Sequence, residues 1–115
     1  MSGQDKPSRP MGDMMEWRNE AGRLHRDGDK PARILANAFQ IWCVGGLRHR
    51  DGDKPAVIYA DGTQMWYING ELHRLGGGPS VIYANRVKMW FIHGTRVTEE
   101  EALAYDPSVD CITNG

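Results

Sequence analysis

The sequence predicts an all-β fold: a tandem array of short antiparallel β-hairpin or meander units, closed by one short C-terminal helix. Three observations carry this. The first is internal periodicity. Trp42, Trp66 and Trp90 stand 24 residues apart, as do Gly22, Gly46, Gly70 and Gly94. His25, His49 and His73 keep that interval, and so do Arg26, Arg50 and Arg74, Pro31, Pro55 and Pro79, and Ile34, Ile58 and Ile82. The second is that each period holds short β-branched and aromatic runs separated by turn dipeptides. The third is that no segment inside the array sustains a helical period.

The elements follow in chain order. Residues 1–16 lack the pattern and are rich in Pro, Gly, Ser and charge, so they read as a flexible lead-in. Residues 17–97 form the array of about 3.3 units of 24 residues, with one extra residue between Trp17 and Gly22. Within a unit, 56–60 suits a strand, Asp61-Gly62 a two-residue type I′ turn, and 63–68 the return strand. Asn69-Gly70 is a second turn and 71–74 a third, short strand. The LGGGP stretch, DGDKP in earlier units, is a loop because Gly and Pro interrupt pairing there. Alternation sets Gln64, Trp66 and Ile68 against Thr63, Met65 and Tyr67, and Lys88, Trp90 and Ile92 against Val87, Met89 and Phe91. The tryptophan side is expected to form a continuous core, with the other side folded over or offered to a partner. Residues 98–115 form an acidic cap and tail. Thr98 and Glu101 make a capping box, a helix follows across about 99–105, and Asp106-Pro107 ends it. Leu103 and Tyr105 are placed to seal the last hairpin.

Composition narrows the function. The chain has 115 residues and a net charge of −1, so one domain is expected and a strongly acidic DNA mimic is excluded. No apolar run approaches the ~18 residues of a membrane span, and the N-terminus has no apolar segment of a secretory signal. Cys43 and Cys111 form no CxxC pair and read as free thiols in a reducing cytoplasm. Residues 17–97 carry 12 Lys/Arg against 7 Asp/Glu, whereas 98–115 carry five acids and no Lys or Arg. A basic array beside an acidic tail can hold an anionic partner screened by its own tail, or the two halves can simply pair at the cap.

The pattern W-x3-G-x2-H-R with a following Gly and Pro, Pro31-Ala32 and Pro55-Ala56 among them, resembles a variant of the MORN repeat of bacterial, prophage and large-virus proteins, some of them antitoxin-like. The resemblance covers residues 17–97. The DGDKP loop is longer than the family's plain DGP loop, and the last unit has Val97-Thr98 in place of His-Arg. The resemblance implies a β-hairpin stack that binds proteins, sometimes lipids, without catalysis.

Residue chemistry agrees with a non-catalytic reading. Three-strand units would set the histidines about 14 Å apart, too far to share one metal. Asp27-Gly-Asp29 and Asp51-Gly-Asp53 lack the remaining ligands of a calcium loop. No nucleophile motif occurs, Cys43 fills the slot of Tyr67 and Phe91, and no metal or cofactor is expected. His25, Arg26, His49, Arg50, His73 and Arg74 read first as ties within the polar loops, and alternatively as a stripe for nucleic acid or another polyanion. Tyr59, Tyr67, Tyr83 and Phe91, with Met65 and Met89, are the candidate partner-binding residues. The expected function is a cytoplasmic interaction module that occludes a larger protein, such as a phage or prophage inhibitor or antitoxin. Exposed terminal strands also allow a homodimer through an edge or an apolar face.

Overall fold

The computed structural model describes Pro7 and residues 14–108. It is mostly β, with antiparallel strands in sheets and one short helix. The strands are β1 (Met14–Glu16), β2 (Arg33–Leu35), β3 (Gln40–Ile41), β4 (Cys43–Val44), β5 (Leu47–Arg48), β6 (Val57–Ile58), β7 (Gln64–Met65), β8 (Tyr67–Ile68), β9 (Glu71–Leu72), β10 (Val81–Ile82), β11 (Lys88–Ile92) and β12 (Thr95–Val97), followed by α1 (Glu99–Ala104). An eight-stranded sheet runs β1-β2-β3-β6-β7-β10-β11-β12, and β4-β5 and β8-β9 form separate two-stranded hairpins.

The tryptophans mark where the chain leaves the large sheet. The Trp17, Trp42 and Trp66 amides donate to the carbonyls of Ala32, Ala56 and Ser80 at 2.7–2.8 Å, which closes the sheet side. Their carbonyls accept from the amides of His25, His49 and His73, which opens the hairpin side. Residues 32, 56 and 80, which are Ala, Ala and Ser, are fully buried. The hairpins join one to the next: the Gly46, Gly70 and Gly94 amides donate to the carbonyls of Leu24, Arg48 and Leu72. Each 24-residue period therefore adds two strands to the large sheet, an advance of about 10 Å rather than the 14 Å expected from three strands in one row.

The core corrects the expected side. Ala32, Ile41, Cys43 and Val57 form the buried cluster, with Leu24, Phe39, Met65 and Tyr67 packed on it. In-register pairing of Ile41 with Val57, Val57 with Met65, Met65 with Val81 and Val81 with Met89 places these residues on one face. By alternation Trp42 and Trp66 point to the other face, where arginines cover them. The tryptophans are buried, but under guanidinium groups rather than in the aliphatic cluster. Cys43 is a buried free thiol whose pKa burial raises, the Arg48 and Arg33 charges opposing in part.

The first turn also differs from expectation. The Tyr59 amide donates to the Thr63 carbonyl and the Gly62 amide to the Tyr59 carbonyl, leaving three residues in the loop. This is a type I turn followed by one left-handed residue, Gly62 (φ 95°), rather than a type I′ turn. Asp61 Oδ1 accepts the Thr63 amide, and Asn37 and Asn85 serve Phe39 and Val87 the same way. Type I′ geometry belongs instead to Asn69-Gly70, where both residues have positive φ. Ala38 (φ 72°) and Arg86 (φ 73°) occupy the position of Gly62. A left-handed L-residue costs roughly 1–2 kcal/mol, part of which glycine forfeits as unfolded-chain entropy. Ala38→Gly is thus expected to raise the urea-unfolding free energy by about 0.5–1 kcal/mol, and Gly62→Ala to lower it by about 1 kcal/mol, both through backbone preference alone.

Both ends of the large sheet are edge strands, β1 and β12. Met14–Glu16, the end of the segment read as lead-in, forms the edge strand β1, because Glu16 precedes Trp17 as Met65 precedes Trp66. The rest of the lead-in and the tail beyond residue 108 lie outside the described residues, apart from Pro7. The extra residue in the first unit lets Asn19 Oδ1 accept the amides of Ala21 and Arg23. At the other end Thr98 and Glu101 complete both bonds of the capping box. Ala102 is the buried helix residue, and the Tyr105 hydroxyl meets His93 Nε2 at 3.1 Å. Leu103 reaches the Gly77 backbone yet stays 64% exposed.

Candidate interaction surface

The His-Arg pairs form a ladder on the tryptophan side. Arg26, Arg50 and Arg74 lie over Trp17, Trp42 and Trp66 at 3.6, 3.8 and 3.9 Å from the ring centroids. Each donates through Nη1 to the proline carbonyl of its own loop, Pro31, Pro55 or Pro79. Arg50 and Arg74 also donate through Nε to Asp29 and Asp53 of the preceding loop, both at 2.8 Å. A planar guanidinium is suited to this: one face stacks on the ring while its edge satisfies a carbonyl and a carboxylate.

The histidines tie one unit to the next. His25, His49 and His73 Nδ1 accept the backbone amides of Gly45, Asn69 and His93 at 2.9–3.0 Å. An Nδ1 acceptor requires the proton on Nε2. In His25 and His49 that nitrogen faces Asp27 and Asp51 at 2.9 and 2.8 Å. The loop aspartates thus hold rings and guanidiniums, which is a structural role.

Asp29 carries the strongest effect. Hydrogen bonds from Arg50 and then Lys54 lower its carboxyl to about 2 against slight desolvation, and the two charges add to this. A depressed carboxyl stabilises the fold above its unfolded range near 4 and loses that contribution as pH falls through about 2. Asp29 is 42% exposed, so screening limits the term to at most about 1 kcal/mol. Asp29→Asn is expected to lower the melting temperature at pH 6 and to match the parent chain near pH 2.

Two clefts repeat along the ladder. One of about 470 Å³ lies between the His25–Asp29 and His49–Gly52 loops, over Trp42. One of about 230 Å³ lies between the His49–Asp53 and His73–Leu75 loops, over Trp66. The buried Trp42 and Trp66 Nε1 atoms have no acceptor among the described residues, whereas Trp90 Nε1 donates to the Gly77 carbonyl. No group of three His, Cys, Asp or Glu among the described residues can hold a metal ion.

The six aromatic and methionine candidates lie on the opposite face. Met65 and Met89 pair with Val81 in register, and Tyr59 and Tyr83 stand two residues beyond Val57 and Val81. Tyr67 packs on the same cluster as Met65, and Phe91 stands two residues beyond Met89 in the continuous β11. Their exposures differ. Met65, Tyr67, Met89 and Phe91 are half-buried, whereas Tyr59 and Tyr83 are 39% and 36% exposed. Phe39 lies against Tyr59, with ring centroids 4.8 Å apart, and Val87 is 48% exposed. Tyr83 Oη contacts Met89 Sδ at 3.7 Å.

Sequence reasoning passed over Arg48 and Arg96 on this face. Arg48 is opposite Cys43, and its guanidinium lies 5.4 Å from the Tyr67 ring; Arg96 is opposite Phe91. Their 24-residue phase with Leu24 and Leu72 was the signal available. Among the described residues no helix is long and apolar enough to cross a membrane. No family model, curated protein or solved structure matches this chain.

Proposed function

We propose that the chain is a MORN-like β-hairpin repeat module that works without catalysis, binding and occluding another protein in the cytoplasm, as a phage-encoded inhibitor or antitoxin would. The carrying observation is a contrast between the two faces. The ladder guanidiniums stack on tryptophan and bond to loop carbonyls, and those of Arg50 and Arg74 also meet carboxylates. The other face leaves Tyr59, Tyr83 and Val87 exposed beside Met89 and Phe91. Aromatic side chains bring a large contact area and methionine a flexible one that adapts to a partner's shape, and both favour protein recognition. Polyanion binding through the His-Arg stripe has less support, because an anion would have to displace Asp29 and Asp53.

The test is co-purification of tagged protein from its native host, washed at low and at high salt. A partner protein is expected to survive high salt. Tyr59→Ala/Tyr83→Ala is expected to weaken it about 10–100-fold, two anchor residues at 1 kcal/mol or more each, with the circular dichroism spectrum unchanged. Nucleic acid eluted by salt, or a partner indifferent to both substitutions, would overturn the reading.

A further inference from the structure

The protein-binding reading leaves the chemistry of the partner open, and the row Leu24, Arg48, Leu72, Arg96 narrows it. Leu24 packs on the core cluster, and Arg48, Leu72 and Arg96 stand directly opposite Cys43, Tyr67 and Phe91, so all four lie on the aromatic face. Backbone bonds from Gly70 to Arg48 and from Gly94 to Leu72 hold the row in line. Arg48 and Arg96 are exposed and form no ion pair among the described residues. The charges on the ladder side are different in kind, since Arg50 and Arg74 are already paired there. The carboxylate placed on the aromatic face, Glu16, is taken by Arg18 and Arg33. The face is therefore apolar and aromatic, with two exposed arginines whose guanidiniums form no ion pair among the described residues, although Arg96 lines a cleft together with Glu99 and Glu101. Two units separate Arg48 from Arg96, about 19 Å at the spacing of paired strands.

We propose that the partner presents an acidic segment to this face, its Asp or Glu side chains meeting Arg48 and Arg96 and its apolar side chains resting on Tyr59, Met65, Tyr83 and Met89. This rests on the protein-binding reading above. Two carboxylates about six residues apart in an extended segment span the distance between the arginines. Basic and nucleic-acid partners are disfavoured for separate reasons. A basic segment meets like charge, and a nucleic acid finds only two unpaired cations along a row otherwise made of leucine.

The test is selection of a random peptide library against the immobilised full chain. Selected peptides are expected to carry Asp or Glu beside Trp, Phe, Leu or Met. Arg48→Glu/Arg96→Glu is expected to bind them at least tenfold more weakly and to select Lys- or Arg-bearing peptides instead. If that variant does not fold, Arg48→Gln/Arg96→Gln is expected to show the loss alone. Neutral or basic peptides selected equally by parent and variant would overturn the acidic assignment and leave the face standing. Peptides that bind Tyr59→Ala/Tyr83→Ala as well as the parent would overturn the face itself. A single-stranded DNA 20-mer that binds the parent but not Arg48→Glu/Arg96→Glu, with no peptide selected, would overturn the proposal in favour of nucleic acid.

Discussion

Trp66→Ala is expected to lower the unfolding free energy by about 3–5 kcal/mol, whereas Trp66→Phe costs only about 1–2 kcal/mol. Trp66 is 6% exposed and sits where the chain turns from the large sheet into the β8-β9 hairpin. Its amide and carbonyl bonds to Ser80 and His73 survive either substitution, so the loss comes from the side chain. Alanine leaves a cavity and removes the ring under Arg74. Phenylalanine keeps an aromatic face there and deletes an indole N–H that has no acceptor among the described residues, so no hydrogen bond is forfeited. A small domain holds about 5–15 kcal/mol in all, so the alanine variant should melt on the order of 10–20 °C lower. A double-mutant cycle with Arg74→Ala isolates the stacking term, expected at about 1 kcal/mol. Equal losses for Trp66→Phe and Trp66→Ala would mean that the indole N–H, and not the aromatic face under Arg74, carries the stability.

Much of this arrangement was legible in the sequence because the period fixes which residues share an environment. The strands around 56–58, 64–68 and 71–72 and the capping box at Thr98 followed from local signals alone. The side on which the aliphatic cluster forms did not. Gln64, Trp66 and Ile68 look as core-like as Met65 and Tyr67, and alternation gives two faces without saying what covers each. The deciding contact, Arg74 over Trp66, comes from a loop residue eight positions away. The turn at Asp61-Gly62 was misread for a related reason: the dipeptide suits both turn types, and only the Tyr59–Thr63 bond counts the loop as three residues. Arg48 and Arg96 were passed over because His49 and Arg50 beside the first drew attention to the ladder. Glu16 gave no sequence sign of burial, since it looked like part of a polar lead-in.

Glu16 carries the second large effect. It is 3% exposed in edge strand β1, in line with Ile41, Val57 and Val81, and Arg18 and Arg33 both bond to it. Burial pushes its carboxyl up, but the hydrogen bonds and charges of the two arginines outweigh this and hold it below the ordinary range. Its stabilising contribution is therefore present above that range and lost as pH falls below it. Glu16→Ala is expected to cost about 2–3 kcal/mol, less than a fully buried pair because both arginines keep about a third of their exposure. Glu16→Met/Arg33→Val installs the residue types found at Met65, Val57 and Val81, and an apolar replacement of a buried pair is often neutral. That variant is expected to unfold within about 1 kcal/mol of the parent but to self-associate, with a sedimentation coefficient that rises with concentration. An inward-pointing charge on an edge strand deters strand addition, and the double variant removes it. If the double variant stays as monomeric as the parent, the Glu16 pair is not what guards this edge, and the Asn19 cap on the neighbouring turn would have to do so.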